Sequence, residues 1–147
     1  MVTLSSLGEL RPAAACYHVA MAESQRRPAS PEPIAAAREW LRAFNARDLD
    51  GLLALYAEDA VHLSPNLRAR KPETGGRVAG RANLRAWWED SFRRLPGLKY
   101  EAAVITADRS RAWIEYRRVA PGEPVRSVAE VLILRKGRIV ESRVYNG

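Results

Sequence analysis

The sequence is short of the residues that build cross-links and metal sites. Its 147 residues include one cysteine, Cys16, and two histidines, His18 and His62, which lie far apart in the chain. One cysteine excludes an internal disulfide framework, and this set does not provide the usual spacing of zinc ligands. No apolar run approaches the about 20 residues that a membrane-spanning helix needs. We therefore expect a cytoplasmic protein that uses no metal or other cofactor and enters no membrane.

Lysine is also scarce, with 3 residues against 21 arginines, and the formal net charge at pH 7 is +7. A basic balance of this size raises the question of nucleic acid binding. The arginines, however, are scattered among 17 acidic residues rather than gathered into a stripe. Abundant arginine and alanine are equally typical of a GC-rich coding sequence. The charge pattern therefore does not favour a nucleic acid partner.

Proline marks a boundary near the start of the chain. The segment RRPASPEP, residues 26–33, is rich in proline, which disfavours helix in the residue before it. Upstream, the apolar run in PAAACYHVAMA is broken by a tyrosine and a histidine, so it is a poor signal segment, and Met21 is an alternative start. We expect residues 1–33 to form a disordered tail and linker. Residues 34–147 should form one domain, long enough to bury a core without cross-links.

Helical periodicity governs three segments of this domain. The first carries an apolar stripe at helical spacing, formed by Ile34, Ala37, Leu41 and Phe44. The second follows Asp48, a suitable N-cap, and its apolar face continues to Tyr56. The third, residues 81–95, ends at a Pro-Gly pair. These patterns predict three helices, the second of which runs into the AEDA sequence after Tyr56.

Alternation with period two predicts strands in the rest of the domain. A short strand carries His62 and Ser64 and ends at Pro65, and residues 66–80 are predicted to form a mobile loop. Four longer strands are predicted at about 98–107, 110–120, 125–135 and 138–146. Three helices followed by antiparallel strands predict an α+β domain in which the helices cover one face of the sheet.

Three segments resemble those of a known family: FNARDLDGLLALYAEDAVHLSP, then GRANLRAWW, then VLILRKGRIVESRVYNG. Their order and spacing are similar to the SnoaL-like branch of the nuclear transport factor 2-like superfamily, over about residues 34–147. The resemblance implies a cone-like α+β barrel, in which three N-terminal helices pack on a curved antiparallel sheet and enclose a cavity. It also implies a homodimer through the outer sheet face, where the predicted strands place Trp113, Val131, Ile133 and Tyr145.

The superfamily includes ketosteroid isomerase, limonene epoxide hydrolase, scytalone dehydratase and polyketide cyclases, so the fold alone does not define a reaction. At the positions of the isomerase's general base, oxyanion tyrosine and protonated aspartate stand Ser64, Trp40 and Glu130. A serine hydroxyl cannot act as a base near pH 7, so the isomerase's proton abstraction is not expected here.

The other catalytic sets are also incomplete. The tyrosine and asparagine that activate water in the epoxide hydrolase fall at His62 and Ser64. Its arginine and aspartate fall at Tyr116 and Arg118, and its last aspartate falls at Val144. These residues cannot form an Asp–Arg–Asp relay, and the C-terminal acid of the polyketide cyclases has no clear counterpart.

The resemblance nevertheless turns one set of side chains towards a common cavity. The implied catalytic residues are His62, Glu130 and Arg118, and the implied ligand-binding residues are Trp40, Tyr56, Ser64, Trp88, Tyr116, Ser142 and Asn146. His62 is the expected proton carrier because its ordinary pKa lies near neutrality. Glu130 is either a general acid whose pKa is raised by burial or the ion-pair partner of Arg118, since their strands are adjacent. Arg118 could instead receive an anionic oxygen of the ligand.

The sequence therefore predicts a small-molecule enzyme that performs acid–base chemistry without a cofactor on a small, largely apolar or aromatic ligand. The reaction would be an isomerisation, a cyclisation, a dehydration or a hydrolysis. The alternative is a domain of the same fold that binds a small ligand without turnover or forms dimeric protein contacts. The absence of the family's catalytic acids favours that alternative.

Overall fold

The computed structural model describes residues 33–147. The tail predicted for residues 1–33 lies outside the described residues except for Pro33, which is the first residue of a helix. Within the described part of the chain, no helix has both the length and the apolar character to cross a membrane.

Within residues 33–147, four α-helices and one short 3₁₀ segment accompany the sheet. Two of the helices are long: α1 spans Pro33–Asn45 and α4 spans Arg81–Arg94. The other two have six residues each, α2 at Leu49–Ala54 and α3 at Pro65–Arg70, and the 3₁₀ segment spans Pro72–Thr74. Helix α1 buries the small and aromatic face formed by Ala36, Ala37, Trp40, Ala43 and Phe44.

Six strands form one mixed sheet. They are β1 (Tyr56–Leu63), β2 (Arg77–Ala79), β3 (Lys99–Ala107), β4 (Arg111–Val119), β5 (Arg126–Arg135) and β6 (Arg138–Asn146). The order across the sheet is β2-β1-β6-β5-β4-β3, and the sheet is curved but not closed. The predicted α+β class and the four long strands are confirmed. The sheet is not wholly antiparallel as expected, because β1 pairs with β6 in parallel.

The second helix is shorter than predicted. Asp48 is its N-cap, as expected, and its carboxylate accepts a hydrogen bond from the Gly51 amide at 2.9 Å. The helix ends at Ala54, however, and Tyr56 is already the first residue of β1, where it pairs with Ile139 of β6. The predicted continuation into AEDA is therefore wrong, because a strand pairing with a residue far along the chain overrides the local apolar spacing.

The segment predicted as a mobile loop, residues 66–80, is mostly regular structure. The Ser64 hydroxyl accepts a hydrogen bond from the Asn66 amide at 3.2 Å and thus caps α3, whose first residue is Pro65. Gly76 has a φ of 83°, a left-handed conformation that favours glycine, and strand β2 follows it. Because β2 pairs with β1, with Val78 opposite His62, this segment covers one edge of the sheet.

The alternation in β4 separates the two faces of the sheet as predicted. Its inward positions are buried, at Ala112, Ile114, Tyr116 and Arg118, whereas Trp113, Glu115 and Arg117 are exposed. On the outer face Trp113 and Tyr145 remain 42% and 47% exposed, but Val131, which was expected to be exposed with them, is buried. Val131 lies between Trp113 and Arg143 in the strand register, so flanking side chains cover it. The buried face of the sheet and the long helices together frame an interior space.

Candidate functional site

A cavity of about 220 Å³ lies between the helices and the inner face of the sheet. Six aromatic side chains line it: Trp40, Phe44, Trp87, Trp88, Tyr100 and Tyr116. A dry cavity of about 150 Å³ can hold benzene in a protein interior. The space here is therefore large enough for a molecule of one or two rings.

Stacked rings form one wall of the cavity. Tyr100 lies between Phe44 and Tyr116, with ring centroids 4.0 Å from each and interplanar angles of 9° and 23°. Trp40 continues the stack at 5.4 Å from Phe44. Aromatic contacts at these separations are favourable beyond the area that they bury, so the wall has a fixed shape.

A chain of hydrogen bonds behind the cavity fixes the orientation of His62. The Trp40 Nε1–H donates to the Tyr56 hydroxyl at 2.9 Å, and that hydroxyl donates to Ser142 Oγ at 3.2 Å. Ser142 Oγ lies 2.7 Å from His62 Nδ1. The Tyr56 hydroxyl accepts from Trp40 and donates to Ser142, and we assign the Ser142 hydrogen to the neighbouring Nδ1 of His62. His62 Nδ1 therefore accepts, and in the neutral ring the hydrogen is on Nε2.

Burial keeps His62 neutral. Its side chain is 3% exposed, and the Trp88 ring lies beside it with centroids 5.7 Å apart. Burial lowers the pKa of His62 to about 4, so the imidazole carries no charge at pH 7. His62 lines the cavity, and with Nδ1 engaged its Nε2–H is the group left to serve as a hydrogen-bond donor.

Glu130 lies on β5 with its carboxyl group inside the protein. It is 2% exposed, and the Tyr116 hydroxyl donates to its Oε2 at 3.2 Å. Its Oε1 is buried and has no hydrogen-bond partner among residues 33–147. Burial raises the pKa of Glu130 to about 8, and the Tyr116 hydrogen bond opposes this only in part. At neutral pH Glu130 is therefore mostly protonated, with one oxygen unsatisfied.

Arg118 does not pair with Glu130. It is 9% exposed, and its guanidinium forms an ion pair with Glu123, a residue of the loop between β4 and β5. Of the two alternatives for Glu130, the ion pair with Arg118 is thus the one that the structure contradicts. The physical reason is that the Arg118 side chain meets a partly exposed carboxylate at the cavity mouth, which costs less desolvation than a partner in the interior.

The remaining predicted residues fall into two groups. Trp40, Ser64, Trp88 and Tyr116 line the cavity together with His62, Glu130 and Arg118. Tyr56 and Ser142 are completely buried behind His62 and do not line it. Asn146 also does not line it, because it is the exposed last residue of β6 and borders a different surface depression with Tyr145 and Ala129.

Several lining residues were not predicted from the sequence, among them Trp87, Tyr100 and Glu123, and of these three only Trp87 had a usable signal. Trp87 follows Leu84 by three residues and belongs to the same buried helical stripe, so its spacing was a usable signal. Tyr100 precedes an irregularity in β3, where Ala102 has a φ of 50°, and simple alternation fails there. Glu123 lies in a loop that has no periodicity. No group of three or more potential metal-ligating residues occurs within residues 33–147.

The family model for SnoaL-like domains matches residues 37–142 of the chain. A SnoaL-like protein of unknown function from Burkholderia thailandensis is 28% identical, with 78% of this chain and 94% of that chain covered and a TM-score of 0.69. A candidate polyketide cyclase from Pseudomonas putida is 23% identical over 79% and 92% of the two chains, with a TM-score of 0.63. A candidate ketosteroid isomerase from Kribbella flavida is 21% identical over 77% and 76%, also with a TM-score of 0.63. The last two likenesses concern the fold alone. Comparison with curated proteins gives no match.

Proposed function

We propose, from the premise that the chain belongs to the SnoaL-like domain family, that its cavity performs acid–base chemistry on an oxygen of a small aromatic ligand. Its structural neighbours include a candidate polyketide cyclase and a candidate ketosteroid isomerase. Reactions of both kinds develop negative charge on an oxygen atom. A cavity that presents hydrogen-bond donors to such an oxygen would favour that step.

The observation that carries the proposal is the unsatisfied Oε1 of Glu130. A buried polar atom without a hydrogen-bond partner lowers the stability of the fold by about 1–3 kcal/mol. Such an atom in a native structure therefore needs an explanation, and a functional role is one. In the protonated carboxyl group Oε2 already accepts from Tyr116, which leaves Oε1 to carry the hydrogen. A ligand oxygen in the cavity would accept that hydrogen and remove the cost.

The two neutral titratable groups then have separate roles. Glu130, with a pKa of about 8, is the general acid, because a catalytic pKa near the working pH gives efficient proton transfer. His62, with a pKa of about 4, is a fixed donor through Nε2–H rather than the proton carrier expected from its ordinary pKa. When Glu130 gives its proton to the ligand oxygen, the resulting carboxylate keeps the Tyr116 hydrogen bond, whose strength increases with the charge.

The lining favours an aromatic ligand. The stacked wall of Phe44, Tyr100 and Tyr116 offers a flat apolar surface, and Trp88 faces the cavity from α4. The polar groups on the interior side are donors, so the complementary ligand is a ring system that carries a carbonyl or a comparable acceptor oxygen.

Deuterium exchange tests the proposal. We expect the protein to accelerate exchange of the methyl hydrogens of 2-acetylnaphthalene in D₂O, since protonation of the ketone oxygen by Glu130 assists removal of a methyl proton by water. Glu130→Gln retains a donor but cannot release a proton, so the acceleration should fall by about 10²-fold or more. The control Glu115→Gln changes an exposed carboxylate on the opposite face of the sheet and should have no effect.

Binding of the ketone without accelerated exchange would contradict the enzyme proposal. That outcome would instead support the alternative, a cavity that holds a ligand without turnover. Equal loss of acceleration in Glu115→Gln and Glu130→Gln would show that the effect does not come from the cavity.

A further inference from the structure

The mouth of the cavity is strongly basic. Four arginines line it, at Arg70, Arg94, Arg118 and Arg126, and Glu123 is the one ionised carboxylate among the described lining residues. They come from separate elements: the last turn of α3, the last turn of α4, the inner face of β4 and the start of β5. The fold therefore gathers these charges at one opening, although they are scattered in the sequence.

Arg118 is the anchor of this group. It is the buried member, and a buried guanidinium requires an anionic or hydrogen-bonding partner. Glu123 supplies a carboxylate from the loop between β4 and β5. Arg126 is the Cα partner of Arg118 in the β4–β5 register, so a second guanidinium occupies the same rung of the sheet.

The charges around Glu123 exceed what one carboxylate can balance. The hydrogen bond from Arg118 holds the pKa of the Glu123 carboxyl below its usual value, and the charges of Arg118, Arg126 and Arg94 act in the same direction. Arg94 also has Asp90 as a partner at 2.7 Å, whereas no side-chain hydrogen bond or ion pair involves Arg126 or Arg70 within residues 33–147. The mouth thus keeps unbalanced positive charge around a pocket that already accommodates a carboxylate.

We infer that the ligand of the cavity is an aromatic carboxylic acid, whose carboxylate replaces that of Glu123 on Arg118 while its ring lies among the aromatic side chains. The inference rests on the proposed function of the cavity as the ligand site and adds the class of ligand. Glu123 acts as an internal substitute that neutralises Arg118 until the ligand arrives, and the loop that carries it moves aside.

The spacing of the polar groups fits one such molecule. Arg118 and Tyr116 are two residues apart on the inner face of β4, which separates them by about 7 Å along the strand. Tyr116 in turn holds Glu130. Glu130 is the Cα partner of Ile114, two residues beyond Tyr116 on β4, so the matching ligand is an elongated ring system with a carboxylate at one end and an acceptor oxygen at the other. A planar guanidinium binds a carboxylate through two parallel hydrogen bonds, which fixes the ligand's orientation.

Paired probes test the inference. We expect 2-naphthoate to bind the wild-type protein about tenfold or more tightly than its neutral isostere 2-naphthamide, measured by calorimetry at low salt. Arg118→Gln should abolish this preference, because it removes the charge that distinguishes the carboxylate from the amide. Arg117→Gln is the matched control, because it removes an exposed arginine from the adjacent outward position of β4.

A second variant covers the case in which Arg118→Gln fails to fold. Glu123→Gln removes the competing carboxylate, so it should strengthen the binding of 2-naphthoate by about threefold to tenfold and leave 2-naphthamide unchanged. Equal affinities of the two probes for the wild-type protein would overturn the inference and leave the cavity as a ligand site. Weaker binding of 2-naphthoate to Glu123→Gln would also overturn it. Failure of both probes to bind at millimolar concentration would overturn the inference and the proposed function together.

Discussion

The hydroxyl oxygen of Ser142 lies 2.7 Å from Nδ1 of His62, and this contact leaves Nε2 as the imidazole nitrogen that is free to face the cavity. Ser142 is fully buried and receives the hydrogen of Tyr56, and we assign its own hydrogen to the imidazole. His62 therefore presents Nε2–H as a fixed hydrogen-bond donor, although histidine commonly acts as a proton carrier. In the proposed function, Glu130 is then the general acid.

Removal of the Ser142 hydroxyl should remove the preference of His62 for the tautomer with its hydrogen on Nε2. In Ser142→Ala, Nδ1 loses its donor and the Tyr56 hydroxyl loses its acceptor, so the ¹⁵N chemical shifts of His62 should change from one neutral tautomer to a mixture. The free energy of unfolding should fall by about 1–3 kcal/mol. Ser127→Ala, at an exposed position of β5, is the control and should change neither quantity. If the His62 ¹⁵N shifts are identical in Ser142→Ala and the wild type, the hydrogen bonds from Trp40 through Ser142 do not set the tautomer of His62.

Glu130 should make the protein less stable as the pH rises. Its folded pKa of about 8 is above its ordinary value of 4.5, so its contribution to stability is complete below pH 4.5 and is lost as the pH rises through 8. Relative to the wild type, Glu130→Gln should gain about 3 kcal/mol between pH 5 and pH 8. Urea unfolding at the two pH values measures this gain. Glu115→Gln is the control. If its free energy of unfolding gains as much between the two pH values, the raised pKa does not belong to Glu130.

His62 should have the opposite effect. Its folded pKa of about 4 is below its ordinary value of 6.5, so its contribution is complete above pH 6.5 and is lost as the pH falls through 4. His62→Gln should therefore gain about 3 kcal/mol relative to the wild type between pH 7 and pH 4. The same unfolding experiment gives the value. A pH-independent difference between the two proteins would show that His62 titrates normally.

The outer face of the sheet offers a contact between copies of the chain. Trp113 and Tyr145 stack there with ring centroids 6.1 Å apart, and Val104 is exposed on the same sheet. We propose that this face forms the homodimer that the sequence resemblance implies. Light scattering should give a dimer for the wild type and a monomer for Trp113→Ser combined with Tyr145→Ser. Val125→Ser, which changes an exposed apolar residue of the β4–β5 loop, should remain dimeric. A monomeric wild type would disprove the proposal.

The parts of the fold that were predictable from sequence are those with strong local patterns. The helical spacing of α1, the Asp48 cap and the alternation of β4 are set by neighbouring residues, and the structure confirms them. The buried face of α1 includes Trp40 rather than Leu41, and the alternation fails at Val131 of β5 and Asn146 of β6. Pairing between distant strands has no local signal. The parallel contact of β1 with β6 and the short strand β2 were therefore missed, and Tyr56 was assigned to a helix.

The candidate site shows the same division. The alternation placed His62 and Ser64 on one face and the family resemblance turned that face inward, and both residues are buried. The partners of these side chains were not predictable. That Arg118 binds Glu123 rather than Glu130 depends on the path of a loop, and that Tyr100 joins the aromatic wall depends on an irregularity in β3. Both pKa shifts follow from burial, which a sequence does not quantify.

Titration of the Glu130 carboxyl group tests the central claim most directly. With the side-chain carboxyl carbons of glutamate labelled with ¹³C, the Glu130 signal can be assigned by its loss in Glu130→Gln and then followed with pH. We predict that this signal remains that of a protonated acid at pH 7 and titrates with a pKa near 8. A carboxylate signal at pH 7 with a pKa near 4.5 would contradict the account, because Glu130 would then have no proton to give.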